Sequence, residues 1–184
     1  RSGPSHGLLI EPRSEDEIRN DVSDFAEYLK AGIAADANED DRAEGEQQGI
    51  SKEIERAVRN MSGLRVRREK TPDGKTHRRD EARELAATVD TVRELVVQIL
   101  ARMELHRRDR RDVWYDPASG RSPLVWLKET FEQINNGRHP EFTLPKRIEV
   151  VVPQPLLGLD EMAVRLVDTK GIDRTAARAD LEAL

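Results

Sequence analysis

The residues best suited to chemistry lie near the C-terminal end of the sequence. The apolar run Ala163-Val164-Arg165-Leu166-Val167 leads into Asp168, Gly171 follows three positions later, and a helical pattern runs from Thr175 to Leu184. An apolar run of this kind predicts a strand over 162–167. In open α/β sheets ligands sit beyond the carboxyl ends of strands. A carboxylate there is placed to hold Mg²⁺, directly or through water. A glycine three residues on lets the backbone approach a phosphate closely and direct its N–H at an oxygen. Such a loop is ordered by one contact and released when the contact goes, so it reports whether a terminal phosphate is present. The plain alternative is a strand-to-helix turn, with Asp168 near a helix N-terminus.

Residues 164–173 (VRLVDTKGID) resemble switch II, the DxxG segment, of P-loop GTPases. The D-T-x-G-I form is similar to that of dynamin-like and translation-factor-like GTPases, where the third position is commonly Pro and here is Lys170. The resemblance implies that Asp168 is the Mg²⁺-associated carboxylate and that the Gly171 N–H meets the γ-phosphate. Thr169 and Lys170 are then flanking nucleotide-binding residues. It implies GTP and GDP as ligands, Mg²⁺ as cofactor, and attack of water on the γ-phosphate as the reaction; it assigns no catalytic side chain within this chain. No GxxxxGK[ST] and no [NT]KxD occurs in the sequence, so the phosphate-cradling loop and the guanine-specificity motif are absent from it. In such GTPases the first precedes switch I and the second follows switch II. With Arg1 at the start and Leu184 inside a helical pattern, the expectation is a central piece of a longer protein, inactive by itself. Only Ser2, Ser5 and His6 stand near the expected place of switch I, and none is assigned its role.

Composition narrows the remaining choices. The 184 residues carry a formal net charge of −5, and 36% are charged against 36% apolar. With a mean hydropathy of −0.74, this predicts a helix-rich chain with a thin core. No run of about 18 apolar residues occurs, which excludes a spanning helix within the sequence, and no basic-then-apolar start with a cleavage site is seen. A cytoplasmic location is expected. The absence of cysteine excludes disulfides and thiolate-ligated metals. Four scattered histidines show no metal-ligand spacing. The basic groups 65–70, 75–79 and 107–111 read as solvated loops balanced by the acidic 36–46 stretch, in preference to a nucleic-acid surface or an anionic-membrane contact.

The elements that must position Asp168 follow from periodicity. Residues 7–12 (GLLIEP) predict a short strand. Ser14 and Glu17 have capping-box spacing, and Ile18, Val22, Phe25, Leu29 and Ile33 form a helical stripe over about 15–35. Residues 36–49 read as a linker or frayed helix. A second helix spans about 50–62 and stops at Gly63. Residues 65–79, with a TPDGK turn, fit either a β-hairpin tip or a loop. Over 80–106 Leu85, Val89, Val92, Val96, Ile99 and Met103 keep a heptad seam. Ala82, Ala86, Leu95 and Leu100 widen it, which favours packing against the earlier helices over self-association through this helix. Residues 114–120 (WYDPASG) form a turn. Ser122 and Pro123 then start a helix with the stripe Leu124, Leu127, Phe131 and Ile134, ended at Asn136-Gly137. Residues 147–152 are a β-branched strand between Pro145 and Pro153. Trp114, Tyr115 and Trp126 are expected to pack helices on the sheet, and His106 and His139 to be surface or turn residues.

The resulting expectation is an α/β fold, a partial P-loop NTPase sheet with a large helical insertion. Residues 1–13 form a strand near switch I. Residues 14–138 are the insertion, and 139–184 carry the GTPase-like strands, switch II and the following helix. The expected function is binding and hydrolysis of GTP, with the helical part transmitting nucleotide state or binding a protein partner. The alternative is a helical interaction or scaffold module without nucleotide chemistry.

Overall fold

A computed structural model describes residues 2–3, 5–37, 50–70 and 76–153. The expected strand 162–167, the helix from 175 and most of the acidic 36–49 stretch lie outside these. Within the described residues the chain is mixed α/β. Its elements are β1 (Ser2–Gly3), β2 (Gly7–Pro12), α1 (Glu15–Ala37), α2 (Lys52–Ser62), β3 (Val66–Lys70), β4 (Thr76–Asp80), α3 (Glu81–Thr88), α4 (Val92–Met103), β5 (Asp112–Trp114), α5 (Pro123–Asn135) and β6 (Pro145–Pro153). No helix among the described residues is long and apolar enough to cross a membrane.

β2 is the centre of the main sheet, whose order is β1-β6-β2-β5. It pairs antiparallel with β6, Leu8 opposite Val150 and Ile10 opposite Ile148, and antiparallel with β5, Leu8 opposite Val113. Residues directly opposite in such ladders share a face. Leu8, Ile10, Val113 and Ile148 therefore line one side, and α5 covers it with Leu127 and Ile134, joined by Phe142 and the flank of Trp126. β1 adds a parallel edge to β6 at Val152 and Pro153 only. These small, mostly antiparallel sheets give the α/β class. A three-residue strand inside the DVW segment is too short to leave a period in the sequence, and β5 was not foreseen.

α1 starts as its capping box dictates. The Ser14 N–H donates to Glu17 Oε2 at 2.7 Å, and the Glu17 N–H donates to Ser14 Oγ at 3.1 Å. Its stripe is buried from Ile18 to Leu29, with Phe25 and Val22 wholly enclosed, and α2, α3 and α4 pack around it. Gly63 ends α2 in the left-handed region at φ 73°, where glycine carries no Cβ penalty.

The segment 80–106 is not one helix, which corrects the heptad reading. Val89 is extended, and the Thr91 hydroxyl accepts from the Glu94 N–H at 3.1 Å to start α4 afresh. The Lys30 ammonium donates to the Val89 carbonyl left open by the break. Asp90-Thr91 is cap chemistry, and it interrupts a seam that the apolar residues alone continue. The burial falls on Leu95, Val96, Ile99 and Met103, against α1 and α2. Within the chain these residues pack against the other helices of the bundle.

Residues 14–138 do depart and return between β2 and β6. β5 and α5, inside that span, nevertheless pack with the sheet rather than with the helices. Leu124 is a second correction. It is 66% exposed, as is Val125 beside it at 49%, while Thr130 is buried on the same helix.

Phe25→Ala should cost about 3–5 kcal/mol, the range for emptying a fully buried aromatic site. Leu124→Ala should change stability by about 0.5 kcal/mol or less. Urea unfolding of the two variants checks the contrast.

Candidate functional site

Asp168, Thr169, Lys170 and Gly171 lie outside the described residues. The structure does place the strands beside which they were expected. On its outer edge β6 is paired by β1 at Val152 and Pro153. At the Pro145 end of β6, β2 finishes and α1 begins. There Arg13 bridges to Asp21 at 2.8 Å, the Arg13 N–H donates to the Leu144 carbonyl at 2.9 Å, and Lys146 approaches Glu17 at 3.5 Å. Burial raises the Asp21 carboxyl above its ordinary value, against the opposing pull of Arg13.

The opposite end of the sheet holds the residues near the expected switch I. Ser5 is half-buried, and His6 is 9% exposed, with an Nε2 that has no hydrogen-bond partner. The His6 ring lies edge-on to Tyr115 at 6.1 Å, and Tyr115 lies edge-on to Trp126 at 5.7 Å. The Tyr115 hydroxyl donates to the Arg121 carbonyl at 2.5 Å. Tyr115 and Trp126 thus pack α5 onto the sheet as expected. Trp114 does not. It lies over Gly7 on the opposite face, so close that an added Cβ would sit 2.4 Å from the ring. It donates to Asp112 and stays 40% exposed. His106 is exposed, as expected, and His139 is half-buried against Phe142. Burial lowers the His139 pKa and favours its neutral form. Among the described residues no three His, Asp or Glu side chains gather to hold a metal.

The basic 65–79 segment is a hairpin, β3 paired with β4. Its register sets Arg67 opposite Arg79 and Arg68 opposite Arg78. Like charges directly opposite oppose pairing, and carboxylates at the start of α3 offset one of the two pairs. Arg67 meets Glu81 at 2.7 Å, and Arg79 meets Glu84 at 2.8 Å.

The hairpin is fastened at Asp80, which sequence reasoning missed. The Asp80 carboxylate caps α3 by accepting from the Ala82 and Arg83 N–H groups at 3.0 and 3.3 Å. It also accepts both arms of the Arg59 guanidinium, at 2.8 and 3.1 Å. Arg59 in turn holds Glu55 and lies over the Phe25 ring at 5.1 Å. An Asp directly before a helical EARE segment is a visible cap signal. Its arginine partner, 21 positions away, leaves no pattern. Burial alone would raise the Asp80 pKa, but the Arg59 hydrogen bonds and charge outweigh it and hold the group below its ordinary 3.8.

Since the folded pKa is depressed, the Asp80 contribution is full above the unfolded value and is lost as pH falls through the folded one. Asp80→Asn should lower stability at pH 7 by about 1–3 kcal/mol. The gap from the native chain should narrow below pH 3.8, as denaturant midpoints measured from pH 7 to pH 2 would record. No family model, curated protein or solved structure matches the chain.

Proposed function

We propose that this chain belongs to a GTP-binding and GTP-hydrolysing protein of the dynamin-like type, in which it carries switch II and a helical subdomain that responds to nucleotide state. The DTKGID segment after an apolar run carries the reading, and the sheet geometry supports it. Eight residues, 154–161, separate β6 from the run at 162–167. A parallel crossover needs a dozen or more residues, so this connection suits an antiparallel hairpin. On this reading a strand over 162–167 lies on the edge of β6 away from β2, the side on which β1 pairs.

In that arrangement the new strand runs parallel to β2. It delivers Asp168 to the end of the sheet where Pro12, Arg13 and Ser14 pass into α1. Ser2, Ser5 and His6 lie at the other end, so switch I falls elsewhere than on them. α1 is the helix around which α2, α3 and α4 pack, so a loop ordered by a γ-phosphate at that junction has a direct mechanical path into the bundle. Asp168 holds Mg²⁺ and the Gly171 N–H meets the phosphate. The site is cytoplasmic, where GTP and Mg²⁺ are available.

Residues 1–184 alone should show no GTP turnover, because the sequence holds no phosphate-cradling loop. In a polypeptide that includes such a loop upstream, Asp168→Ala should lower kcat by about 10²-fold or more. Hydrogen exchange at residues 15–22 should slow with a GTP analogue relative to GDP. Turnover by the 184 residues, or full activity in Asp168→Ala, would refute the reading.

A further inference from the structure

Beside the Arg59–Asp80 pair, a cleft of about 630 Å³ opens between α2, the base of β3 and the turn after α5. It is lined by Arg56, Arg59, Asn60, Arg65, Val66 and Arg138. Arg59 is neutralised by Glu55 and Asp80. The other three arginines are solvent-exposed, and none forms an ion pair with a described carboxylate. The Arg56 side chain donates only to the Asn136 amide oxygen, at 3.3 Å. Three positive charges, of which only Arg56 has a carboxylate, Glu53, close enough to feel its charge, therefore face one concavity on a chain whose net charge is −5.

The cleft walls are fixed rather than loose. The Asn60 amide donates to the Asn136 carbonyl at 2.7 Å. Gly137, at φ 66°, lets the turn come so close to α2 that an added Cβ would lie 2.8 Å from the Ala57 carbonyl. Arg138 is thus held on one wall and Arg56 on the other, with Arg65 at the hairpin base. The face of the hairpin that carries Val66 also carries Arg68 and Arg78 by register, extending the positive surface away from the cleft.

We propose that this cleft is a binding site for a multiply charged phosphate group. Guanidinium groups match phosphate oxygens two at a time, and a compact anion of charge −2 or more relieves their mutual repulsion. The volume suits a small phosphate ester or a lipid headgroup, and the group is the same in both. The site is independent of the switch II reading, since none of its residues belongs to 162–171.

The test uses the 184-residue chain. Sodium pyrophosphate is titrated calorimetrically at constant ionic strength. Sedimentation is followed with phosphatidylcholine vesicles, with and without phosphatidylinositol bisphosphate. The variants are R65A/R138A, two exposed side chains, with circular dichroism to check that the fold is kept, and R19A, an exposed arginine that does not line the cleft. Affinity should fall about tenfold or more in R65A/R138A and be kept in R19A. Binding of pyrophosphate with this pattern assigns a soluble phosphate ligand. The same pattern with phosphoinositide vesicles but not with pyrophosphate assigns a headgroup. No binding to either probe, or equal losses in R19A and R65A/R138A, would overturn the proposal.

Discussion

The helical half of this molecule depends on one carboxylate. Asp80 ends β4, caps α3 and receives the guanidinium of Arg59 from α2, which itself lies over Phe25 of α1. Three elements thus meet at a single anion whose side chain is only 13% exposed, and α1 lies behind its arginine partner. A carboxylate in that setting is stable only because charged and backbone donors surround it. Its position fixes where the hairpin stands relative to the bundle. It also explains how a ladder that sets arginine against arginine can persist at the edge of a helical core. At the junction the hairpin is joined to two helices by the Arg59 pair and the α3 cap.

A second constraint joins the helices to the sheet. There are two apolar clusters, one centred on α1 and one between α5 and the sheet. Residues 142–144 bridge them, because Phe142 belongs to the sheet cluster and Leu144 to the helical one. Arg108 clamps this bridge. Its guanidinium donates to the carbonyls of Met103, His139 and Phe142, at 2.8, 2.8 and 3.1 Å. Glu104, which ends α4 with φ 48°, adopts a conformation costly for a residue with a Cβ, and the Arg108–Met103 bond stabilises the chain where it turns. A thin core, expected from composition, is realised as two small cores held by a polar clasp.

Local signals were legible and long-range ones were not. Ser14 and Glu17, Gly63, and Ser122 with Pro123 each marked an end that the backbone respects, because a cap is satisfied within a few residues. The 89–91 break was hidden by Val89 and Val92, which keep the apolar period while α3 stops at Thr88 and Thr91 caps the start of α4. Leu124 has the right spacing on α5 but stays exposed, because spacing marks a face and not how far along the helix that face is covered. The Arg59–Asp80 and Arg108–Phe142 contacts depend on how distant segments pack, and no spacing encodes them. The DTKGID segment is visible in sequence as a chemical pattern. What the fold adds is the β2–α1 junction at the Pro145 end of β6.

β1 and β2 flank β6 on opposite edges, although few residues separate them in the chain. The N-terminal stretch therefore straddles the end of β6 like a bracket, hydrogen-bonded to it along one direction on one side and along the reverse direction on the other. Sliding β6 along its own axis would break bonds on both edges at once. The position and heading of Pro153 are thereby locked, so whatever follows in the chain sets out from a fixed point rather than from a loose tether.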